Sequence, residues 1–459
     1  MRIKLDLPLS IGEICDELNT PLPICTQSSE IVKYICTDTR ECRQGDLFIA
    51  LDGENDSGEK YVNEALKKKC LVLSSSLRSD VVHVYNTADA LLELSRVYKD
   101  RISPRHTVAI TGSVGKSTTV KFTSTILKEK FKVHSPVGNF NNHIGLPLTI
   151  FAMPKDTEVL VAELGMNHKG EISELSRAIS PDVAVITSIG TAHIGNLGSR
   201  KEIAKAKLEI LDGMKNKNII LPELEELLRG IDGASYVGRN SSLSTFSLND
   251  TDNDAYSFVS RGKAIGGIRF FDKRDHLLND LAFAIAVCDV LGLSEKELLR
   301  GIGAINDSHL RQRFIELDGF TVFDDSYNAS LESITADLIY ISSLGMPTGA
   351  FIGDVLELGD RAHKIHEQIG LRCAEHKIGT LYLFGIYAED IARGALMGGM
   401  DNTRIFINTD TSSARTSVEQ IYRHHMPGEI ILFKASHRLR LDKIADSMKN
   451  EEGSRYKNE

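Results

Sequence analysis

The stretch Gly112–Thr118, reading GSVGKST, joins an apolar run to a segment with helical spacing, and its residue types suit a phosphorylated ligand. Glycines let backbone N–H groups converge on anionic oxygens, and a helix that follows aims the positive end of its dipole at them. In that geometry Lys116 neutralises β and γ phosphates and the Ser117 hydroxyl ligates Mg²⁺, while Gly112, Ser113, Val114, Gly115 and Thr118 supply the cradle. The full Walker pattern asks for glycine where this chain has Ile110, so the match is to a shorter form. A glycine-bearing turn with an exposed lysine is the competing reading. Strand before, helix after and the GKS run together favour the phosphate.

Further residues have the chemistry of a metal–nucleotide site. Glu163 ends the strand-like run EVLVAELG, and His193 follows the next one in SIGTAHIG. Open α/β sheets bind ligands beyond the carboxyl ends of their strands, so Ser117, Glu163 and His193 are expected to meet there around a divalent ion. Singly, each has a plainer reading: a solvated strand end, a structural histidine. Lys207 lies in IAKAKLEI, where helical spacing sets it beside Ile203 and Ile210. A solvated face is the default for such a lysine. A buried one would lose its proton more readily, and a neutral amine reacts with CO₂ to form a carbamate, a carboxylate on a long arm.

These residues need elements to position them. From RHTVAIT onward, strands (EVLVAELG, PDVAVITSIG) alternate with helices (GEISELSRAI, RKEIAKAKLEILDGM), the pattern of a parallel sheet covered by helices. Two helical segments, LNDLAFAIAVCDVLGL and SEKELLRGIGAI, precede a second alternating run from GFTVFDDSYNAS to GEIILFKAS. Before residue 100, short strands such as GDLFIAL and CLVLSSS mix with short helices. The expected fold class is α/β with three domains: a small mixed α/β domain at 1–100, a central parallel-sheet phosphate-loop domain at 101–310 and a further α/β domain at 311–459.

Composition narrows the function. Of 459 residues, 42% are apolar and 25% charged, and the net charge of -9 argues against a nucleic-acid or anionic-membrane surface. No window approaches the ~20 apolar residues of a membrane span. The opening MRIKLDLPLSIGEICDEL lacks the uninterrupted apolar stretch of a signal peptide. Seven cysteines without a CxxC pair point to reduced thiols in a cytoplasmic protein.

Read in order, ITGSVGKSTT, GNFNNHIGLPLTI, AELGMNHKGEI, TAHIGNLGSRKEIAKAKLEI, DDSYNAS, GDVLELGD and KASHRLRLDKI resemble the ATP-dependent Mur ligases, and TDTRECRQGDLFIALDGENDSGEKY resembles their uridine-nucleotide domain. The resemblance covers nearly the whole chain. It implies a UDP-sugar-binding first domain, an ATP-binding second and a Rossmann-like third. It also implies amide-bond formation through an acyl phosphate, in peptidoglycan precursor synthesis, by a monomer. GNFNN with DSYNA points to the branch that joins D-alanyl-D-alanine to a UDP-N-acetylmuramoyl-tripeptide. Carried over residue by residue, Gly112 to Thr118 hold the ATP phosphates, and Ser117, Glu163 and His193 surround the metals. Lys207 falls at the family's carbamylated lysine, and Lys116, Lys207 and His193 form the catalytic set. Asn279 falls at the adenine-contacting asparagine, Arg313 (with Arg311 as the rival alignment) at the arginine that reaches the phosphates, and Asp325 at the ribose-binding carboxylate. Thr39 and Arg40 would lie near the uridine diphosphate, Asn141 and Asn142 near the sugar-peptide.

The chain departs from the family pattern at several points. Val114 replaces an asparagine, Gly195 stands where a glutamate is usual, Ser330 and Leu331 replace Asn-Pro, and His276 lies three residues before Asn279 instead of four. None touches Lys116, Ser117, Glu163 or His193. What they leave open is the substrate: a ligase joining a different amino acid or peptide to a different carboxylate is the alternative reading.

Overall fold

The computed structural model describes all residues except 54–55, 253, 307–309, 311, 410–413 and 456–459, and the side chains of 414–415 and 449–455. Arg311 and part of the GEND stretch therefore lie outside the described residues. Among the described residues, twenty strands form three sheets joined by helices, an α/β fold.

The first sheet runs β1 (Arg2–Ser10), β2 (Ile31–Cys36), β3 (Leu47–Ile49), β4 (Leu71–Ser74) and β5 (Val82–His83) in sequential order. β1 pairs antiparallel with β2, and the remaining pairs are parallel. The second sheet holds β6 (His106–Thr111), β7 (Val133–His134), β8 (Val159–Glu163), β9 (Val183–Ile186), β10 (Asn218–Pro222), β11 (Ala234–Arg239), β12 (Phe246–Thr251), β13 (Ala255–Ser260) and β14 (Lys263–Ile268). Their spatial order is β14-β13-β12-β11-β10-β9-β6-β8-β7. Every residue of β8 and β9 is buried, the near-continuous apolar run of strands covered on both faces. β6 sits between β8 and β9, so the chain turns from one side of it to the other there. Crevices at such reversals are where open sheets bind ligands.

The central sheet is parallel only through β12, contrary to a wholly parallel expectation. β13 and β14 add as antiparallel strands because the links between them are too short for a crossover. The third sheet, β15 (Arg313–Leu317), β16 (Phe320–Asp324), β17 (Thr348–Ile352), β18 (Thr380–Phe384), β19 (Ile405–Asn408) and β20 (Glu429–Lys434), has the order β15-β16-β20-β17-β18-β19. Only the β15–β16 hairpin in it is antiparallel.

The chain forms two compact units. Unit 1 comprises Met1–Thr187, Lys205–Phe270 and Asn279–Ile305, and so holds the first two sheets; unit 2 comprises Ser188–Ala204, Phe271–Leu278 and Asn306–Glu459. Within unit 1 the Thr87–Ile102 helix ties the sheets together. Asn86 caps its start by accepting from Ala88 N at 2.8 Å, and Ser103 ends it in a left-handed conformation. The Tyr98 hydroxyl accepts from Asp6 N of β1 at 3.0 Å while its ring packs on Phe151, 5.5 Å between centroids. The buried Lys99 ammonium donates to Ile179 O at 3.0 Å.

Candidate active site

In unit 1, β6 feeds the loop at Gly112, and the Lys116–Leu127 helix begins at Gly115. Gly115 has φ +86°, a conformation that strains any side chain, and a Cβ there would overlap the Asp280 carboxylate. No side chain caps this helix and its first turn carries no acid, so the positive end of its dipole suits an anion. Lys116 Nζ folds back onto Gly112 O at 2.9 Å, an ammonium held over the loop. Thr187, just past β9, donates to Val114 O at 2.5 Å and braces the loop from the neighbouring strand.

Ser117 and Glu163 are brought together as expected, the hydroxyl donating to Glu163 Oε2 at 2.5 Å. Asn141 Nδ2 donates to the other carboxylate oxygen at 2.8 Å. A buried glutamate that accepts from a hydroxyl and an amide presents hard oxygens, the donor chemistry that suits Mg²⁺. These residues thus fit a triphosphate and its metal: an uncapped helix end, a lysine, and paired oxygens. Among the described residues no group of three or more His, Cys, Asp or Glu side chains converges as a metal site.

Lys207, on the Arg200–Leu208 helix, is only 3% exposed. Burial, and then the neighbouring Lys116 charge, pushes its ammonium well below the usual lysine range. The spacing beside Ile203 and Ile210 does bury it, and both isoleucines are fully buried. A neutral amine there can take up CO₂, and the resulting carbamate would bring a negative charge toward Lys116.

The remaining expectations divide. Asn279 sits on the exposed face of the Asp275–Val290 helix, whereas Asp280 turns inward, accepting from Thr119 Oγ1 at 3.2 Å. Burial pushes the Asp280 carboxyl well above the ordinary range. The sequence reading missed Asp280, although spacing from the buried Leu277, Leu281 and Ala284 sets it on their face. Asn142 accepts from Gly145 N at 2.8 Å, starting the Gly145–Phe151 helix. Thr39 is buried, and its carbonyl accepts from Lys68 Nζ at 2.6 Å. Arg40 is exposed and clasps Asp38 at 2.7 Å.

Unit 2 carries the others. His193 Nδ1 lies 2.5 Å from Glu357 Oε2. Arg313 donates to Asp324 at 2.8 Å and Asp446 at 2.6 Å. Asp325, partly buried, pairs with Lys434, which also meets Asp337 at 2.8 Å, the latter two in the interior of the unit. Burial and the Asp325 charge push the Asp337 carboxyl up, while Lys434 holds Asp325 below its ordinary range against the burial that opposes it. His276 is pushed down to about 4 by burial and then by the Arg274 charge.

Known proteins share this architecture. Residues 110–276 match the family model of the Mur ligase middle domain. The UDP-N-acetylmuramoyl-tripeptide–D-alanyl-D-alanine ligase of Bacillus subtilis (strain 168) is 34% identical over 91% of this chain and 93% of its own length. The crystal structure I of MurF from Acinetobacter baumannii superposes with a TM-score of 0.85, at 24% identity, over 97% of this chain and 100% of that one. MurF ligase from Thermotoga maritima in complex with ADP does so at 0.76 and 24% identity, over 92% of this chain and 98% of that one. At these identities the two structures speak for the fold. The chain belongs to the Mur ligase family. Within it, the likeness is to the D-alanyl-D-alanine-adding ligases.

Proposed function

We propose that this chain is an ATP-dependent ligase that adds D-alanyl-D-alanine to UDP-N-acetylmuramoyl-tripeptide in peptidoglycan precursor synthesis. What carries the reading is the Ser117–Glu163 pair below an uncapped helix end, in a chain alike along nearly its whole length to a ligase of that name. ATP, the co-substrate, supplies the phosphoryl group that turns the tripeptide's terminal carboxylate into an acyl phosphate; the dipeptide amine displaces phosphate to leave the amide. Mg²⁺, when bound, screens the negative charges that must approach one another.

The chain's own residues take the following roles in this reading. Gly112, Ser113, Val114, Gly115 and Thr118 bind phosphate oxygens through the loop and helix end. Lys116 swings from Gly112 O to the phosphates, and Ser117, Glu163 and His193 serve the metal. Lys207, as its carbamate, adds a further carboxylate. Asn279, Arg313 and Asp325 contact the nucleotide, with Asp280 as the inward-facing neighbour of Asn279. Thr39, Arg40, Asn141 and Asn142 face the UDP-sugar-peptide. The domains span 1–100, 101–310 and 311–459 in a cytoplasmic monomer; all seven cysteines are free, and among the described residues no helix is long and apolar enough to cross a membrane.

The test is coupled ADP release. Turnover is expected only with both UDP-N-acetylmuramoyl-tripeptide and D-alanyl-D-alanine present, and Lys116→Ala should lose at least about a hundredfold of it, a loss typical of removing one preorganised charge-stabilising group. Release with some other acid and amine, but not with this pair, would move the chain to the alternative reading.

A further inference from the structure

We infer that Glu357 is the positioning residue for His193, holding its imidazole through Nδ1 so that Nε2 is the nitrogen presented for work. The inference rests on the proposed reading in giving His193 a task at the metal–triphosphate, and the orientation itself stands on the geometry of unit 2.

Two carboxylates reach the Ser188–Ala204 segment, Glu332 from the first turn of the Leu331–Ser343 helix after β16 and Glu357 from the loop that follows β17. Glu332 accepts from Thr191 Oγ1 at 3.1 Å, and Glu357 meets His193 Nδ1 at 2.5 Å. Main chain joins main chain between them: Gly195 N donates to Glu357 O at 3.0 Å. A Cβ on Gly195 would lie 2.5 Å from Gly359 N and 2.7 Å from Glu357 O, so only glycine lets the two backbones approach this closely. A Cβ on Gly190 would likewise fall 2.9 Å from the Glu332 carboxyl carbon. The paired residues are themselves held in an uncommon backbone state, with φ +62° at His193 and +65° at Glu357. Neither is glycine, and such conformations persist only where the surroundings enforce them.

The chemistry follows from the donor inventory. An ionised carboxylate accepts and cannot donate, so the hydrogen of a neutral imidazole beside it sits on Nδ1 and the lone pair on Nε2. Carboxylates that fix a histidine tautomer in this way raise its ligand quality without touching the ion. The short helix Ile194–Leu197 begins at His193, and Leu197 N and Asn196 N both bond back to His193 O, at 3.2 and 3.1 Å. The backbone is thereby pinned on one side and the ring on the other.

The experiment uses full-length protein with ¹⁵N-labelled histidine, His193→Gln giving the signal assignment. In the nucleotide-free wild type the His193 resonances should report hydrogen on Nδ1. Glu357→Ala should shift the ring toward the Nε2–H form, raise the Mg²⁺ concentration for half-maximal turnover about 10–100-fold and lower kcat, leaving both substrate KM values near wild type. Glu357→Gln, which keeps shape and an acceptor oxygen, should fall between and guards against loss of fold. An unchanged tautomer and unchanged Mg²⁺ requirement in folded Glu357→Ala, with His193→Gln impaired, would overturn the role of Glu357 alone. A fully active His193→Gln would remove His193 from the reaction and the inference with it.

Discussion

Asp280 shows at the residue scale how a single side chain can be both legible and overlooked. It lies under the phosphate loop, buried, against Gly115 and Thr119. Its carboxyl keeps a proton in the folded chain to a higher pH than in the unfolded chain, where it titrates near ~4. Between those points the folded state binds more protons, so stability is lost as pH rises through that window. Asp280→Asn keeps an oxygen for Thr119 and cannot ionise. Urea unfolding from pH 4 to 8 should therefore show the variant gaining on the wild type as pH rises; parallel curves would contradict a neutral Asp280. The Gly112–Ser117 loop stood out in the sequence because its glycines, Lys116 and Ser117 each suit a phosphorylated ligand, with Val114 the exception. Asn279 was chosen by family position despite a spacing one residue short; helical phase, which leaves Asn279 exposed, also points its neighbour Asp280 inward. Asn141 on Glu163, 22 residues apart, and Glu357 on His193, 164 apart, had no local signature, because only the fold makes those pairs.

Elements followed the sequence where periodicity was strong. β8, β9 and the Glu171–Ile179 helix all fall within their expected runs. Of the two antiparallel strands that were missed, β14 lies in a polar, glycine-bearing stretch, RGKAIGGI, with little alternation to read, whereas β13, AYSFVS, alternates in burial and was passed over. In unit 2 the helices Ala362–Glu375 and Ala388–Met397 cross through glycine: a Cβ on Gly370 would overlap Ile391 O, and one on Gly394 would overlap Glu367 O. Backbone leaves no room to repack there. Gly370→Ala should thus cost about 1–3 kcal/mol in urea unfolding, as overpacking does. Arg393→Ala, which removes solvent-exposed bridges to Glu367 and Asp390 from the same helix pair, should cost clearly less than Gly370→Ala. Equal losses would mean the crossing is looser than described.

For the whole molecule, thiol accessibility gives a direct check. Six of the seven free cysteines are buried and only Cys25 is exposed. Ellman's reagent should titrate one thiol in the native protein and seven in guanidinium; three or more fast thiols without denaturant would mean that the interior around Cys36, Cys42 and Cys70 is open. The overall α/β architecture was within reach of sequence reasoning because alternation of strand and helix repeats along most of the chain. The grouping into two units was not, since it places Ser188–Ala204 apart from the strand that precedes it, a choice made by contacts distant in sequence.

The Thr87–Ile102 helix has a consequence of its own. By gripping β1 through Tyr98 and Ile179 through Lys99, it fixes the distance between the first sheet and the phosphate loop inside one unit. On the proposed reading, a substrate anchored by its nucleotide on that sheet is measured as by a fixed gauge. A peptide one residue too short or too long would deliver its terminal carboxylate to the wrong place, and selection for chain length would need no side chain that recognises the missing residue.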